Sequence, residues 1–235
     1  MRNLKLALPI LLPALLTGSP LSAQRCDVRQ ELQRELPAAD LEGVLIDAEA
    51  GSLEVVGADV DRVTVRAVLC ASSDDMAAQS RLVVEQRQGA AWIEADLADG
   101  GGWRNDYARM DLTVEMPRSL AADIEDGSGE IVVRSIAAVR IDDGSGSLDV
   151  EDVEGAVRIE DGSGDIRVRN VGSVEVDDGS GGLEIAEVRG SVVVEEDGSG
   201  EIDIRSVAGD VRIEEDGSGS IDVVGVGGDF ILEDD

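Results

Sequence analysis

Between residues 121 and 235, apolar and polar positions alternate, and the alternation restarts every 17 to 19 residues. Each restart is marked by the tetrapeptide Asp-Gly-Ser-Gly, which occurs six times and first at 126–129. Alternation with a period of two predicts strands and not helices. Repetition at a short, nearly fixed period is typical of a solenoid, in which each repeat forms one coil. The pattern therefore predicts an all-β fold of short stacked coils.

Alignment of the six copies produces five apolar columns, composed almost entirely of Val, Ile and Leu. A single coil cannot bury its apolar face, whereas a stack buries a continuous core with parallel ladders about 4.8 Å apart. Glycine in the tetrapeptide supplies a positive φ at one corner, and a Val-x-Gly segment forms the other. Because crossovers between parallel strands are nearly always right-handed, we predict a single-domain, right-handed parallel β-solenoid. The second column, for example, contains Ile124, Ile141, Ile159, Val176, Val194, Ile213 and Leu232.

The Gly-Ser-Gly turns, flanked by I-x-V and V-x-G segments, resemble the repeats of the DUF4097 family of bacterial adhesin-like proteins. The segment 110–117 resembles the strand and proline that lead into the repeats of that family. The resemblance covers nearly all of the chain after residue 23. It implies a β-strand repeat architecture and an adhesin-like role, and it carries over no catalytic residues.

The first 23 residues have the features of a signal peptide, with Arg2 and Lys5 before an apolar run at 6–16 and a cleavage site at 21–23. A retained N-terminal anchor is the alternative. Export to the periplasm, the cell surface or the medium would place Cys26 and Cys70 in an oxidising compartment. An even number of cysteines there indicates a disulfide, so we predict a Cys26–Cys70 bond in preference to a redox or metal pair.

The chain divides into a signal peptide at 1–23, irregular N-terminal coils and a cap at 24–120, and the regular solenoid at 121–235. Within 24–120 we predict a degenerate coil at 43–70, a helical turn at 74–80 capped by Ser73 or Asp74, and a hairpin around Gln88 and Gly89. The sequence stops within the first half of a seventh repeat, without a polar cap. We therefore expect that this C-terminal coil can associate end to end with another chain.

The formal net charge is −31, and residues 121–235 contribute −24 of it through 32 acidic and 8 basic residues. Such a balance excludes nucleic acid and anionic membranes as partners, because basic patches bind both. It favours cations and basic partners. Every Asp-Gly-Ser-Gly follows another acidic residue, so we expect two acidic ladders along one edge of the stack. Neighbours about 4.8 Å apart would repel by about 1 kcal/mol in water and about 3–4 kcal/mol at an effective dielectric of 20.

The aspartates of the tetrapeptides are candidate ligands of a cation ladder. Calcium binds carboxylate and carbonyl oxygens, and it is the one cofactor that the sequence suggests. The pattern differs from the calcium-binding nonapeptide repeat, because the residue after Gly-Ser-Gly is usually not Asp. The sequence favours turn-forming aspartates in solvent over specific calcium sites. The residues concerned are Asp126, Asp143, Asp161, Asp178, Asp197 and Asp216.

The chain contains no histidine, which excludes Ser-His and Cys-His catalysis and histidine-ligated zinc. The sequence therefore favours a non-enzymatic envelope or surface repeat protein, adhesin-like, that presents an acidic face to a partner. Two alternatives stay open: a polysaccharide-active β-helix hydrolase or lyase with paired carboxylates, and a calcium-binding repeat protein. The sequence favours Trp92 and Trp103 as side chains that cover the N-terminal end of the core, but one loop has a composition singular enough for recognition. It carries Trp103, Arg104, Asp106 and Tyr107.

Overall fold

Each repeat forms one coil, with one strand before the Asp-Gly-Ser-Gly turn and one strand after it. The strands before the turn stack in one sheet and those after it in a second sheet, parallel and in register. The structure, a computed structural model, describes residues 26–99 and 106–233, so the predicted signal peptide lies outside the described residues. The two sheets have ten strands each and enclose a solenoid of about six coils, which confirms the predicted all-β parallel solenoid.

The N-terminal part contains strands and one short helix. These are β1 (Val28–Pro37), β2 (Gly43–Ala48), β3 (Leu53–Ala58), β4 (Arg62–Ala71), α1 (Asp74–Gln79), β5 (Arg81–Arg87), β6 (Ala90–Asp96) and β7 (Ala108–Pro117). The regular coils contain β8 (Ala121–Asp126), β9 (Gly129–Arg134), β10 (Val139–Asp143), β11 (Gly146–Glu151), β12 (Ala156–Asp161), β13 (Ile166–Val171), β14 (Ser173–Asp178), β15 (Gly181–Val188), β16 (Val192–Asp197), β17 (Gly200–Val207), β18 (Val211–Asp216), β19 (Gly219–Val226) and β20 (Phe230–Leu232). No helix in the described part of the chain is long and apolar enough to cross a membrane.

The five predicted apolar columns form the core. Every column member between residues 124 and 213 is buried. In the last coil, by contrast, Phe230 is 48% exposed and Leu232 is 47% exposed, since no further described strand packs on them. The column prediction is therefore confirmed for all but the last coil.

The glycine that ends each tetrapeptide allows the coils to stack. Gly164 has a φ of +153°, and a Cβ added to it would lie 1.4 Å from the carbonyl oxygen of Gly146 in the preceding coil. Its amide donates to the carbonyl of Ser180 in the next coil at 2.9 Å. Gly51, at +131°, has the same role in the degenerate N-terminal coil, below Gly129. Any side chain at these positions would push neighbouring coils apart.

A second bend precedes the fifth column, and its residues share no side-chain type. They all have left-handed backbone conformations, which cost a residue other than glycine about 1–2 kcal/mol. The packing of the apolar columns must offset this strain. The residues, with φ between 53° and 60°, are Ser135, Asp152, Asn170, Glu187 and Ser206.

The N-terminal strands extend both sheets, but not in chain order. Strands β2 and β3 form the degenerate coil and pack against β8 and β9. Strands β6 and β7 pair with the other side of β2 and β3, again in parallel. Strand β7, predicted to lead into the repeats, is thus separated from β9 by β3. Antiparallel β5, β4 and β1 then close this end of the stack.

The degenerate coil predicted at 43–70 is correct only for β2 and β3, because the segment from Arg62 onward forms the antiparallel strand β4. The predicted helical turn and hairpin are confirmed. Helix α1 is capped by Ser73, whose Oγ accepts from the amide of Met76 at 3.3 Å. The β5–β6 hairpin turns at Gln88 and Gly89, both with positive φ. Such a pair matches the right-handed twist of the flanking strands.

The predicted disulfide is present between Cys26 and Cys70, with a Cα–Cα distance of 5.2 Å. It connects the residues before β1 to the buried end of β4. The bond therefore fastens the outermost strand of the N-terminal cap to its neighbour.

Candidate functional site

An outward-facing row of carboxylates runs along the sheet formed by β2, β6 and the even-numbered strands from β8 to β18. We name this row the outer acidic file. At about 4.8 Å per strand, its eight members span about 34 Å. In spatial order they are Glu94, Asp47, Glu125, Asp142, Glu160, Asp177, Glu196 and Glu215.

Two members of this file, Asp47 and Glu94, were missed by the sequence analysis. They belong to the N-terminal coils, where no tetrapeptide marks the register. A signal was nevertheless present, because Asp47 follows the buried Ile46 as Glu94 follows the buried Ile93.

The outer acidic file is weakly neutralised. Among the described residues, only Glu160 of the file has an ion pair, with Arg140 at 2.8 Å. The indole Nε1 of Trp92 also donates to Glu94 at 3.0 Å. Two other arginines of this face pair outside the file: Arg158 with Glu175 at 2.6 Å, and Arg212 with Glu214 at 2.9 Å and Glu233 at 2.8 Å. The file therefore forms a continuous negative stripe.

Acidic and basic side chains are mixed on the opposite sheet. Arg134 lies 3.7 Å from Glu151, and Arg167 lies 3.6 Å from Glu184. Exposed pairs of this kind contribute at most about 1 kcal/mol each. Among the described residues, Glu130, Glu201 and Asp222 on this sheet have no ion pair, but neutral or basic residues interrupt each of its carboxylate rows.

A second row of carboxylates lies inside the solenoid, and we name it the inner acidic file. Its members are the predicted cation ligands Asp126, Asp143, Asp161, Asp178, Asp197 and Asp216, paired in register from coil to coil.

The interpretation of these aspartates as turn residues in solvent is wrong for the first five members, which are at most 8% exposed. The strand before the turn continues through the aspartate, so β8 ends at Asp126. Period-two alternation then places Asp126 on the same side as the buried Ile124. Asp216, in the last coil, is partly exposed.

A β-bulge preserves the position of the inner acidic file where the repeat lengthens. Val176 pairs with Val194, but the next residue, Asp177, pairs with Glu196, so Glu195 is the extra residue. The bulge returns Asp197 to the interior beside Asp178. The inward position of the aspartate is therefore maintained despite a 19-residue spacing.

The inner carboxyl groups are incompletely hydrogen-bonded. The amide of Ser145 donates to Asp143 Oδ1 at 3.3 Å, and that of Ser180 donates to Asp178 Oδ1 at 3.1 Å. These bonds confirm the predicted contact of the aspartate with its own turn. The second oxygen of each has no hydrogen-bond partner, and three further members lack partners on both oxygens. Those three are Asp126, Asp161 and Asp197.

Burial and mutual repulsion disfavour ionisation of the inner file. Burial, followed by the neighbouring Asp143, raises the pKa of Asp126 to about 7, against the opposing amides of Gly127 and Ser128. In mid-stack, burial and then Asp161 raise the pKa of Asp178 to about 7.

The remaining inner members shift in the same direction. Burial and then Asp143 raise the pKa of Asp161 to about 6. Burial is also the main cause that raises the pKa of Asp143 and of Asp197. The neighbouring Asp216 raises the pKa of Asp197 further. Burial therefore favours the neutral form throughout the buried part of this file.

The two files meet at the N-terminal end of the stack, around an opening of about 330 Å³. The carboxyl groups there also favour the neutral form, because burial and then Glu94 raise the pKa of Asp47. The amide of Leu97 donates to Glu49 there at 3.3 Å. The carboxylates around the opening are Asp47, Glu49, Glu125, Asp126 and Asp142.

Within the described residues, no group of three or more His, Cys, Asp or Glu side chains is placed to hold a metal ion. The geometry explains this, since a file arranges carboxylates along a line and not around a point. Calcium binding by the inner aspartates therefore stays a prediction from the sequence alone.

The predicted recognition loop is described only at Asp106 and Tyr107, and Trp103 and Arg104 lie outside the described residues. Tyr107 exchanges two hydrogen bonds with Ser72, each of 3.0 Å. The prediction that Trp92 covers the end of the core is wrong. Its neighbours in β6 point inward, and Trp92 lies on the outer surface beneath the Arg87 guanidinium, 4.8 Å from the ring centroid.

An open aliphatic groove of about 500 Å³ crosses the beginning of the strands on the same sheet. Small residues such as Ala138 and Ala156 line it, together with Val157 of the first column. Its charged side chains are in ion pairs: Arg158 with Glu175 at 2.6 Å, and Arg140 with Asp123 at 3.9 Å and Glu160 at 2.8 Å. The groove does not bring the acidic files together with an aromatic platform.

No protein-family model matches the chain, and no curated protein matches it. Solved structures that align with it include a "putative cell adhesion protein" from Clostridium sporogenes, at 13% identity over 88% of this chain and 100% of that one, with a TM-score of 0.42. A "putative lipid binding protein" from Parabacteroides distasonis aligns at 14% identity over 86% and 96% of the chains, with a TM-score of 0.40. A "putative adhesin" from Bacteroides fragilis aligns at 11% identity over 88% and 97%, with a TM-score of 0.39. These distant likenesses assign no family, so the resemblance to DUF4097 stays a prediction.

Proposed function

We propose that this chain is a non-enzymatic exported surface protein, an adhesin-like scaffold whose outer acidic file binds a basic protein segment. The observation that carries this proposal is the register of the eight carboxylates, which form one stripe on one face. Their repetition favours a collective role over a catalytic one, since a catalytic pair needs two groups with different environments.

Electrostatics favours a cationic partner for this stripe. Neighbouring carboxylates about 4.8 Å apart repel by about 1 kcal/mol in water and about 3–4 kcal/mol where the effective dielectric falls to 20. A partner that carries several positive charges in a row relieves these repulsions together. The parallel ladders hold the file in place before binding, which lowers the ordering cost of association.

The disulfide also supports an exported location, because such bonds persist in oxidising compartments. A rigid solenoid that is closed by an oxidised cap suits a protein exposed to the cell exterior. The proposal thus joins an extended charged surface to a location where such a surface meets partners.

Binding of a fluorescent oligo-arginine peptide tests the proposal. The variant Glu125→Gln/Asp177→Asn/Glu196→Gln removes three charges from the outer acidic file. If each contributes about 0.5 kcal/mol, affinity at low salt should fall about tenfold. Affinity for the wild-type chain should also fall as salt is added, because these charges are exposed.

The matched control removes the same residue types from the opposite sheet, as Glu130→Gln/Glu201→Gln/Asp222→Asn. The control changes the net charge by the same amount but leaves the outer acidic file intact. Its affinity for the peptide should therefore stay within about threefold of wild type. An equal loss in both variants would show attraction by net charge alone and would refute the role of the file. Capture of basic proteins from envelope extracts by the wild type, but not by the outer variant, would then identify partners.

A further inference from the structure

The inner acidic file presents a chemical problem that the outer file does not. Five of its carboxyl groups are buried in register, about 4.8 Å apart, within an apolar core. Asp161 and Asp197 are 6% and 1% exposed, and no donor lies in hydrogen-bonding geometry with any of their carboxyl oxygens. The turn amides of Gly162 and Ser163 near Asp161, and of Ser199 near Asp197, lower the pKa of these groups only in part, because burial outweighs them. Buried polar groups in proteins are otherwise almost always paired.

No positive charge among the described residues resolves this problem. The charged groups that act on the file are other members of it and the outward carboxylates beside it. The outer residues Asp47, Asp142 and Asp177 act on Asp126, Asp143 and Asp178, respectively. The strands of the facing sheet contribute Ile, Leu and Val side chains to the interior. A fully ionised file would therefore combine desolvation with uncompensated repulsion.

We propose that the inner acidic file is a proton-binding ladder, in which neighbouring carboxyl groups share protons while the coils are stacked and release them when the coils separate. A protonated carboxyl supplies the donor that the unpartnered oxygens lack. A hydrogen bond from a neutral carboxyl to a carboxylate is short and strong. One proton between two members thus satisfies both oxygens and removes one charge.

This ladder makes stability depend on pH with a defined sign. A carboxyl whose pKa is raised by folding binds more protons in the folded state between its unfolded pKa, near 4, and its folded pKa. Stability is then lost as pH rises through that window, up to about 7 for Asp126 and Asp178 and about 6 for Asp161. At pH 6 these three groups hold about two extra protons. The unfolding constant should therefore rise about 100-fold per pH unit there.

Chemical denaturation of the chain from pH 5 to pH 8 tests the proposal with two matched variants. Asp143→Asn/Asp178→Asn changes two inner members, and Asp142→Asn/Asp177→Asn changes the outer residues immediately before them. Both replace two carboxyl groups by amides in the same coils. The inner variant should lose at least half of the pH slope and gain stability at pH 8, whereas the outer variant should keep most of the slope. Equal slopes in the two variants would overturn the proposal.

Infrared spectroscopy of the wild type provides a measurement that does not need a folded variant. A carbonyl band of buried, protonated carboxyl groups should be present at pH 6.5 and disappear on unfolding. Absence of the band would overturn the proposal. Calcium offers a further check against sodium chloride of matched ionic strength. If no band is found without calcium, and calcium raises the melting temperature more than the matched sodium chloride does, cations and not protons occupy the file, and the proposal fails.

Discussion

Replacement of Gly181 by alanine should remove much of the stability of the solenoid. Gly181 has a φ of +149°, and a Cβ at this position would lie 1.5 Å from the carbonyl oxygen of Gly164 and 2.5 Å from its carbonyl carbon. The obstacle is backbone of the preceding coil, which cannot rotate away as a side chain can. The coils must therefore separate locally, or the turn must change its conformation.

Either response has a cost that the structure allows us to add up. Separation breaks the bonds from the Gly164 amide to Ser180 O and from the Gly179 amide to Asp161 O, at 2.9 and 2.8 Å. Two lost backbone bonds, with their desolvated groups left unpaired, cost about 2–4 kcal/mol. A glycine-only backbone conformation adds about 1–3 kcal/mol for alanine. We expect a loss of about 3–7 kcal/mol, which is a large part of the stability of most domains.

Urea denaturation followed by circular dichroism measures this loss, and the neighbouring residue is its control. Gly182 lies in the same strand, and a Cβ there would meet only the flexible Asp165 carboxylate, at 3.3 Å. Gly182→Ala should therefore change stability by less than about 1 kcal/mol, in the stabilising direction. If Gly181→Ala costs less than about 1 kcal/mol, or if both variants lose the same amount, close stacking through glycine is not what holds the coils together.

Two further predictions concern the second bend and the cap. Glu187 has a φ of 60°, so Glu187→Gly should stabilise the fold by about 1 kcal/mol. The control Glu201→Gly, in strand β17, should destabilise the fold by about 0.5–1 kcal/mol. If chemical denaturation finds stability changes of the same sign for both variants, the strain argument is contradicted. Reduction of the Cys26–Cys70 bond should lower stability by about 3–4 kcal/mol, and alkylation with mass spectrometry that finds two free thiols in the exported protein would contradict the bond.

The register of the regular coils could be predicted from the sequence because each column repeats its chemistry. Ile141 and Ile159, for example, occupy equivalent positions in successive repeats and pair directly in β10 and β12. A slip by one residue would expose every column member, so only one register buries the core. Local signals were equally sufficient for the Ser73 cap and the Gln88–Gly89 turn.

The order of the N-terminal strands could not be predicted in the same way. Strand β6 pairs with β2, which lies more than 40 residues earlier in the chain, and β7 pairs with β3. The apolar positions of these degenerate coils are interchangeable, so alternation alone does not choose between stacking orders. Long-range packing, including antiparallel β1, β4 and β5, decides the order.

The second bend was missed because backbone conformation leaves no common side-chain signature there. Asn170 tolerates the left-handed region well, but Glu187 at the equivalent place does not. Only Gly225, in the last coil, hints at the requirement. A backbone constraint imposed by stacking can therefore be shared by residues that look unrelated in an alignment.

The two acidic files show why residue type alone does not assign a role. Asp142 and Asp143 are adjacent and chemically identical, yet one faces solvent and the other is 2% exposed in the core. The bulge at Glu195 shows the same distinction between Glu196 and Asp197. An inserted residue could have moved the next aspartate to the surface, but the chain absorbs it and returns Asp197 to the interior and Glu196 to the outer file. If the acidic residues served only to supply net charge, a one-residue shift of the strand that exchanged the inward and outward positions would have no consequence. The retained register therefore argues that the stack requires a carboxyl group inside each coil as well as one outside it.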